Sequence, residues 1–103
     1  MTISTTVVIT GSTRGLGYAT ARRCLQRGAK VVISSEDNNE LQHALSKLAA
    51  ESTYVVGQVC DVSRREDVAA LLAFALERFG TVDVWINNAG TSTPSGAVID
   101  VPI

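Results

Sequence analysis

The sequence is poor in the residues that mark a specialised environment. Its two cysteines, Cys24 and Cys60, stand in no C-x-x-C or other metal-ligand spacing. Two thiols build no disulfide framework, so packed, reduced cysteines in a cytoplasmic protein are expected, with no metal site. Charge of one sign is lacking too: 9 Lys and Arg against 10 Asp and Glu leave a net charge of −1. Neither a nucleic acid nor a membrane surface is therefore the expected partner. No apolar run approaches the ~20 residues that span a bilayer as a helix. The first six residues are too short and uncharged to read as a signal peptide. The lone histidine, His43, has no partner in spacing and is read as a solvated surface residue. No internal repeat, low-complexity tract or interdomain linker occurs.

What is present is apolar content, and glycine in one telling place. A hydrophobic fraction of 46% with mean hydropathy +0.19 excludes a disordered chain and fits strands buried on both faces. At 103 residues the chain is at most one small domain, residues 1–103. Val7-Val8-Ile9-Thr10 reads as a strand, and Gly11-Ser12-Thr13-Arg14-Gly15-Leu16-Gly17 follows at once, with a helical pattern behind it. Glycine takes positive φ without a Cβ clash, as so tight a turn requires. It also lets backbone N–H groups come close to something bulky and anionic. The helix behind the loop aims its unpaired N–H groups and the positive end of its dipole at the same place. The natural ligand is the pyrophosphate of a dinucleotide. The spacing, G-x-x-x-G-x-G, differs from the common G-x-G-x-x-G fingerprint, and alone it also fits an ordinary tight turn.

Along the chain, residues 5–10 form the first expected strand, continuous in apolar and β-branched side chains. A helix is expected over 15–27, with Gly17, Ala21, Cys24 and Leu25 on its inner face and Gly28 past its end. Tyr18 lies off that face and reads as surface cover. The second strand is 30–34; Asp37 and Glu40 then have the D-x-x-E spacing of a helix start, followed by an apolar stripe of Leu41, Ala44, Leu45, Leu48 and Ala49. The third strand is 53–59. Ser63-Arg64-Arg65-Glu66 reads as a capping box, opening a helix whose Val68, Leu71, Leu72, Ala75, Leu76 and Phe79 share one face and which Gly80 ends. The fourth strand, 82–86, runs into Asn87-Asn88-Ala89-Gly90, with a polar loop over 91–96 and an undecided tail over 97–103.

Strands alternating with helices through short connections imply a parallel sheet with right-handed crossovers, in the order 3-2-1-4. Ligands in such sheets lie at the carboxyl ends of the strands, by the switch point between strands one and four. The glycine loop, Ser34-Ser35, Asp61 and Asn87-Asn88 all fall at those ends. Four loops therefore converge on one rim.

These residues resemble the short-chain dehydrogenase/reductase family. Thr10-Gly11-Ser12-Thr13-Arg14-Gly15-Leu16-Gly17 matches its T-G-x-x-x-G-x-G cofactor loop, Asp61-Val62 its D-V pair after the third strand, and Asn87-Asn88-Ala89-Gly90 its N-N-A-G after the fourth. The resemblance implies an α/β, Rossmann-like fold, truncated before the catalytic half, and an NAD(P)(H)-binding portion of an oxidoreductase that moves hydride between nicotinamide and a carbonyl or alcohol. It implies that Gly11, Gly15, Leu16 and Gly17 cradle the pyrophosphate, with Ser12, Thr13 and Arg14 also cofactor-binding. Asp61 and the Val62 backbone would reach the adenine. Asn88, with Ala89 and Gly90, would hold the end of strand four against the loop beside the ribose. Asp61 also fits a plain helix-start acid, and Asn88 a turn residue.

For cofactor choice the family's pattern turns on the end of strand two. An acid there goes with NAD; this chain has Ser35. A base at the next position goes with NADP; this chain has Glu36. Arg14, before Gly15, is the basic residue seen with NADP, and Glu36 can swing into screening water. NADP(H) is therefore expected over NAD(H). The family's Tyr-x-x-x-Lys pair, which moves the proton as hydride moves, is absent: Tyr18 and Tyr54 have Arg22 and Gln58 four places on. No catalytic residue is expected here, and the chain alone is expected to be inactive. The partner would be a missing C-terminal half. The alternatives are a stand-alone nucleotide- or protein-binding half-fold and one subunit of a split enzyme. Strand four is expected to expose an open apolar edge that invites self-association.

Overall fold

A computed structural model of the chain describes residues 5–88 and the backbone of 97–100. The elements are β1 (Thr6–Thr10), α1 (Gly15–Gln26), β2 (Lys30–Ser35), α2 (Asn38–Ala49), β3 (Val55–Val59), α3 (Arg65–Phe79), β4 (Val84–Asn87) and β5 (Ala97–Asp100). They form one sheet in the order β3-β2-β1-β4-β5. The pairs β1–β2, β1–β4 and β2–β3 are parallel, as alternation with helices requires. The expected 3-2-1-4 order is present, with β1 central and all five of its residues buried.

Side-chain alternation divides the core between the two faces of the sheet. Val7, Ile9, Val31, Ile33, Val55 and Ile86 point to the α1/α2 side, where they meet Ala21, Cys24, Leu25, Leu41, Ala44 and Leu48. Val8 and Val32 point to the other side and pack with Cys60, Val82 and the α3 residues Leu71 and Ala75. Gly57 in β3 makes room for α2: a Cβ there would lie 2.9 Å from a Leu41 methyl carbon and 3.1 Å from one of Leu45. The N-terminal end of β1 is fastened to the segment before β4, because Asp83 accepts from the Thr6 N–H at 2.8 Å and its own N–H donates to Thr6 O at 2.9 Å.

Several expectations change. The far edge of strand four is not open: β5 pairs with it antiparallel, in the register Val84↔Asp100 to Asn87↔Ala97. The undecided tail thus contains a strand, which satisfies the backbone groups that self-pairing through β4 would have used. The capping box at Ser63 does not form. Arg64 is the N-cap residue of α3, with no side-chain cap bond, and the Ser63 hydroxyl instead donates to Asp61 Oδ1 at 2.6 Å. The third strand starts at Val55 rather than residue 53, since the Tyr54 N–H turns to Ser52 Oγ. The fourth starts at Val84 rather than 82, because Asp83 faces Thr6. By contrast, Asp37 caps α2 as its spacing implies, accepting from the Glu40 N–H at 3.1 Å, and Gly80 ends α3 at φ 83°. His43 is exposed. Tyr18 is half-buried against the α1/α2 core, with Lys47 Nζ 5.2 Å from its ring centre. Cys24 and Cys60 are both free and buried, and burial pushes each thiol pKa up, so neither is an activated thiolate.

Candidate functional site

The glycine loop is shaped by three separate demands. Gly11 and Gly15 both stand at positive φ, 59° and 60°. Gly17 has an ordinary φ but no room: a Cβ there would collide with the Gly11 carbonyl oxygen and lie 2.6 Å from Asn88 Nδ2. Ser12 turns the loop inward. It is buried, its N–H donates to Ser34 O at 3.1 Å, and its hydroxyl donates to Ile9 O at 2.8 Å while accepting from the Ser34 N–H at 2.9 Å. One serine thereby ties the end of β1 to the end of β2.

The loop delivers the chain into α1, whose N-terminus differs from those of the other helices. Its first turn holds no acid, and its N-cap residue Arg14, like Arg64 at α3, makes no side-chain cap bond. In α2 the cap is Asp37 and the first turn holds Glu40; in α3 the first turn holds Glu66 and Asp67. Acids supply negative charge to the helix dipole at α2 and α3, whereas the first turn of α1 supplies none and leaves that end open to an anion. Thr13 is half-buried and Leu16 is 60% exposed beside this opening.

Across the switch point, Asn88 holds β4 to the loop. Its Nδ2 donates to Gly11 O at 2.9 Å and its backbone N–H donates to Thr10 Oγ1 at 3.0 Å. The Thr10 hydroxyl in turn donates to Asn87 Oδ1 at 3.1 Å. Thr10 and Asn87 are thus bracing residues that the motif contains but whose roles its spacing does not reveal. Ala89 and Gly90 lie outside the described residues, as does the loop over 91–96.

At the end of β3, Asp61 and Val62 are half-buried. Both the Ser63 hydroxyl and its N–H donate to Asp61 Oδ1, at 2.6 and 3.0 Å. These bonds, with the Arg64 charge behind them, hold the Asp61 carboxyl below its usual range. Asp67, reaching back from the first turn of α3, accepts from the Asp61 N–H at 3.0 Å. No periodicity in the sequence points to that contact. At the end of β2, Ser35 is buried with its Oγ accepting from the Asp37 N–H at 3.1 Å, and Glu36 is exposed. Arg14 is exposed and paired with Glu40, Nη1 to Oε1 at 3.7 Å.

Comparisons with known proteins identify the family and match the fold. A family model described as short chain dehydrogenase matches residues 5–101. The chain belongs to the short-chain dehydrogenase family. It is 42% identical over 95 residues to bovine dehydrogenase/reductase SDR family member 4, covering 92% of this chain and 34% of that protein. Among solved structures, an F189W actinorhodin polyketide ketoreductase with NADPH superposes with a TM-score of 0.82 at 33% identity, over 88% of this chain and 36% of that one. A short-chain dehydrogenase/reductase from Burkholderia phymatum in complex with NAD gives 0.73 at 37% identity, over 76% and 28%. The chain thus spans about a third of the length of these family members.

Proposed function

We propose that the chain is the dinucleotide-binding portion of an NAD(P)(H)-dependent short-chain dehydrogenase/reductase. The observation that carries this reading is the opening at α1: a helix N-terminus without cap or acid, reached through a loop where Gly17 has no space for a Cβ. A backbone cradle of this kind admits a diphosphate at hydrogen-bonding distance. When bound, the nicotinamide would supply hydride chemistry at a carbonyl or alcohol. The chain's own residues bind and orient. Gly11 to Gly17 would face the diphosphate, Asp61 and the Val62 backbone the adenine, and Asn88 the ribose side. The proton-transferring Tyr-x-x-x-Lys pair of the family is not among these 103 residues.

For the cofactor, the reading favours NADP(H) over NAD(H). Ser35 offers no carboxylate for a ribose 2′-hydroxyl, and its Oγ already serves Asp37. Arg14 offers a cation to a 2′-phosphate, while the exposed Glu36 is free to stay in water. A cytoplasmic setting completes the reading, in keeping with two buried free thiols. The deciding experiment is calorimetric titration of the protein with NADP(H) and NAD(H) at one salt concentration. Saturable binding of either supports the site, and tighter NADP(H) binding supports the preference. A folded protein that takes up neither would overturn the assignment.

A further inference from the structure

Arg14, the cation of the glycine loop, already has a carboxylate facing it. Its Nη1 stands 3.7 Å from Glu40 Oε1, with side-chain exposures of 84% and 42%. The pair bridges two separate connections. Arg14 ends the loop between β1 and α1, and Glu40 lies in the first turn of α2, beyond the end of β2. In a sheet of this order the adenosine ribose of a dinucleotide lies by the end of the second strand. There a carboxylate about twenty residues past the loop takes the 2′-hydroxyl, or a nearby arginine takes a 2′-phosphate. Ser35 occupies that strand end and is engaged with Asp37. A phosphate on the 2′-oxygen would therefore have to draw Arg14 from Glu40.

We propose that Glu40 tunes cofactor choice: its carboxylate faces Arg14 at the ribose end of the crevice and competes with a 2′-phosphate for the guanidinium. This rests on the dinucleotide-binding reading above. The competition acts on NADP(H) and leaves NAD(H) untouched, because the two differ by that phosphate alone. The side chain can be changed without unmaking the helix start, since Asp37 caps α2 through the Glu40 N–H, not through its carboxylate. An exposed ion pair of this kind corresponds to roughly a two- to fivefold effect on an equilibrium, and one that salt screens.

The test is to titrate the protein and its Glu40→Gln, Arg14→Ala and doubly substituted variants with NADP+ and with NAD+, at low and at high salt. Thermal melts check that each variant is folded. The expected result is NADP+ binding tightened about two- to fivefold by Glu40→Gln, unchanged NAD+ binding, and a gain that shrinks in salt. With Arg14→Ala present, the Glu40→Gln effect should vanish. Equal tightening of both cofactors, or an unchanged NADP+ affinity, would overturn the role of Glu40 while leaving the site itself standing. Binding of neither cofactor to the unsubstituted protein would overturn both.

Discussion

The side-chain amide of Asn88 donates to the carbonyl oxygen of Gly11 across 2.9 Å, joining residues 77 apart in the chain. This bond sets the distance between the end of β4 and the glycine loop, and it lies against Gly17, whose missing Cβ gives it room. Asn88→Ala should leave the Gly11 carbonyl without its donor and cost about 1 kcal/mol of stability. Cofactor affinity should fall further than stability, because the loop loses its brace. Paired denaturation and titration curves separate the two losses.

The two glycines that begin α1 should respond differently to the same substitution. A Cβ at Gly15 meets nothing within 4 Å but inherits a φ of 60°, so Gly15→Ala should cost about 1–2 kcal/mol from conformation alone. Gly15→Asn should cost less, as asparagine tolerates that region. Gly17→Ala has no such escape, since backbone and Asn88 both stand in the way. It should abolish dinucleotide binding while circular dichroism still reports strands and helices. Retained binding in Gly17→Ala would refute the close approach of the loop.

Asp61 should titrate below the ordinary carboxylate value of ~3.9, because Ser63 donates to it twice. A carboxyl held down in the folded state adds stability that is complete above the unfolded value and is lost as pH falls through the folded one. The effect is therefore confined to the acid side. Ser63→Ala removes the hydroxyl donor and should move the Asp61 titration upward, as read by carboxyl NMR.

Ser34 presents the opposite case, a buried hydroxyl whose Oγ has no partner among the described residues. Ser34→Ala should leave stability unchanged or raise it by up to ~1 kcal/mol, since an unpaired buried polar atom is unfavourable. The backbone bonds between Ser12 and Ser34 should survive the change. A clear loss of stability in chemical denaturation would show that the hydroxyl is engaged.

The sheet order and the rim of strand ends were legible because local signals carry them. Continuous apolar runs mark buried parallel strands, and glycines mark turns. The D-x-x-E at Asp37 was legible for the same reason, as its acceptor and donor lie three residues apart. The identical logic failed at Ser63, where a turn closed on Asp61 competes for the same hydroxyl. Contacts across long separations leave no local trace. Asp67 on the Asp61 N–H, Glu40 beside Arg14, and β5 along β4 depend on how elements dock. Gly57 is the instructive middle case: a glycine inside a strand hints at close packing, and only the fold shows that α2 is the neighbour.

The 77-residue separation between Gly11 and Asn88 also has a consequence in time. A ribosome adding about 5–20 residues per second makes Gly11 on the order of 4–15 seconds before Asn88. Throughout that interval the nascent chain carries its glycine loop without the Asn88 bond. On the dinucleotide-binding reading, ligand capture would wait until the fourth strand has been made and inserted beside the first. Cofactor uptake would then serve as a readout of completed β1–β4 pairing during synthesis.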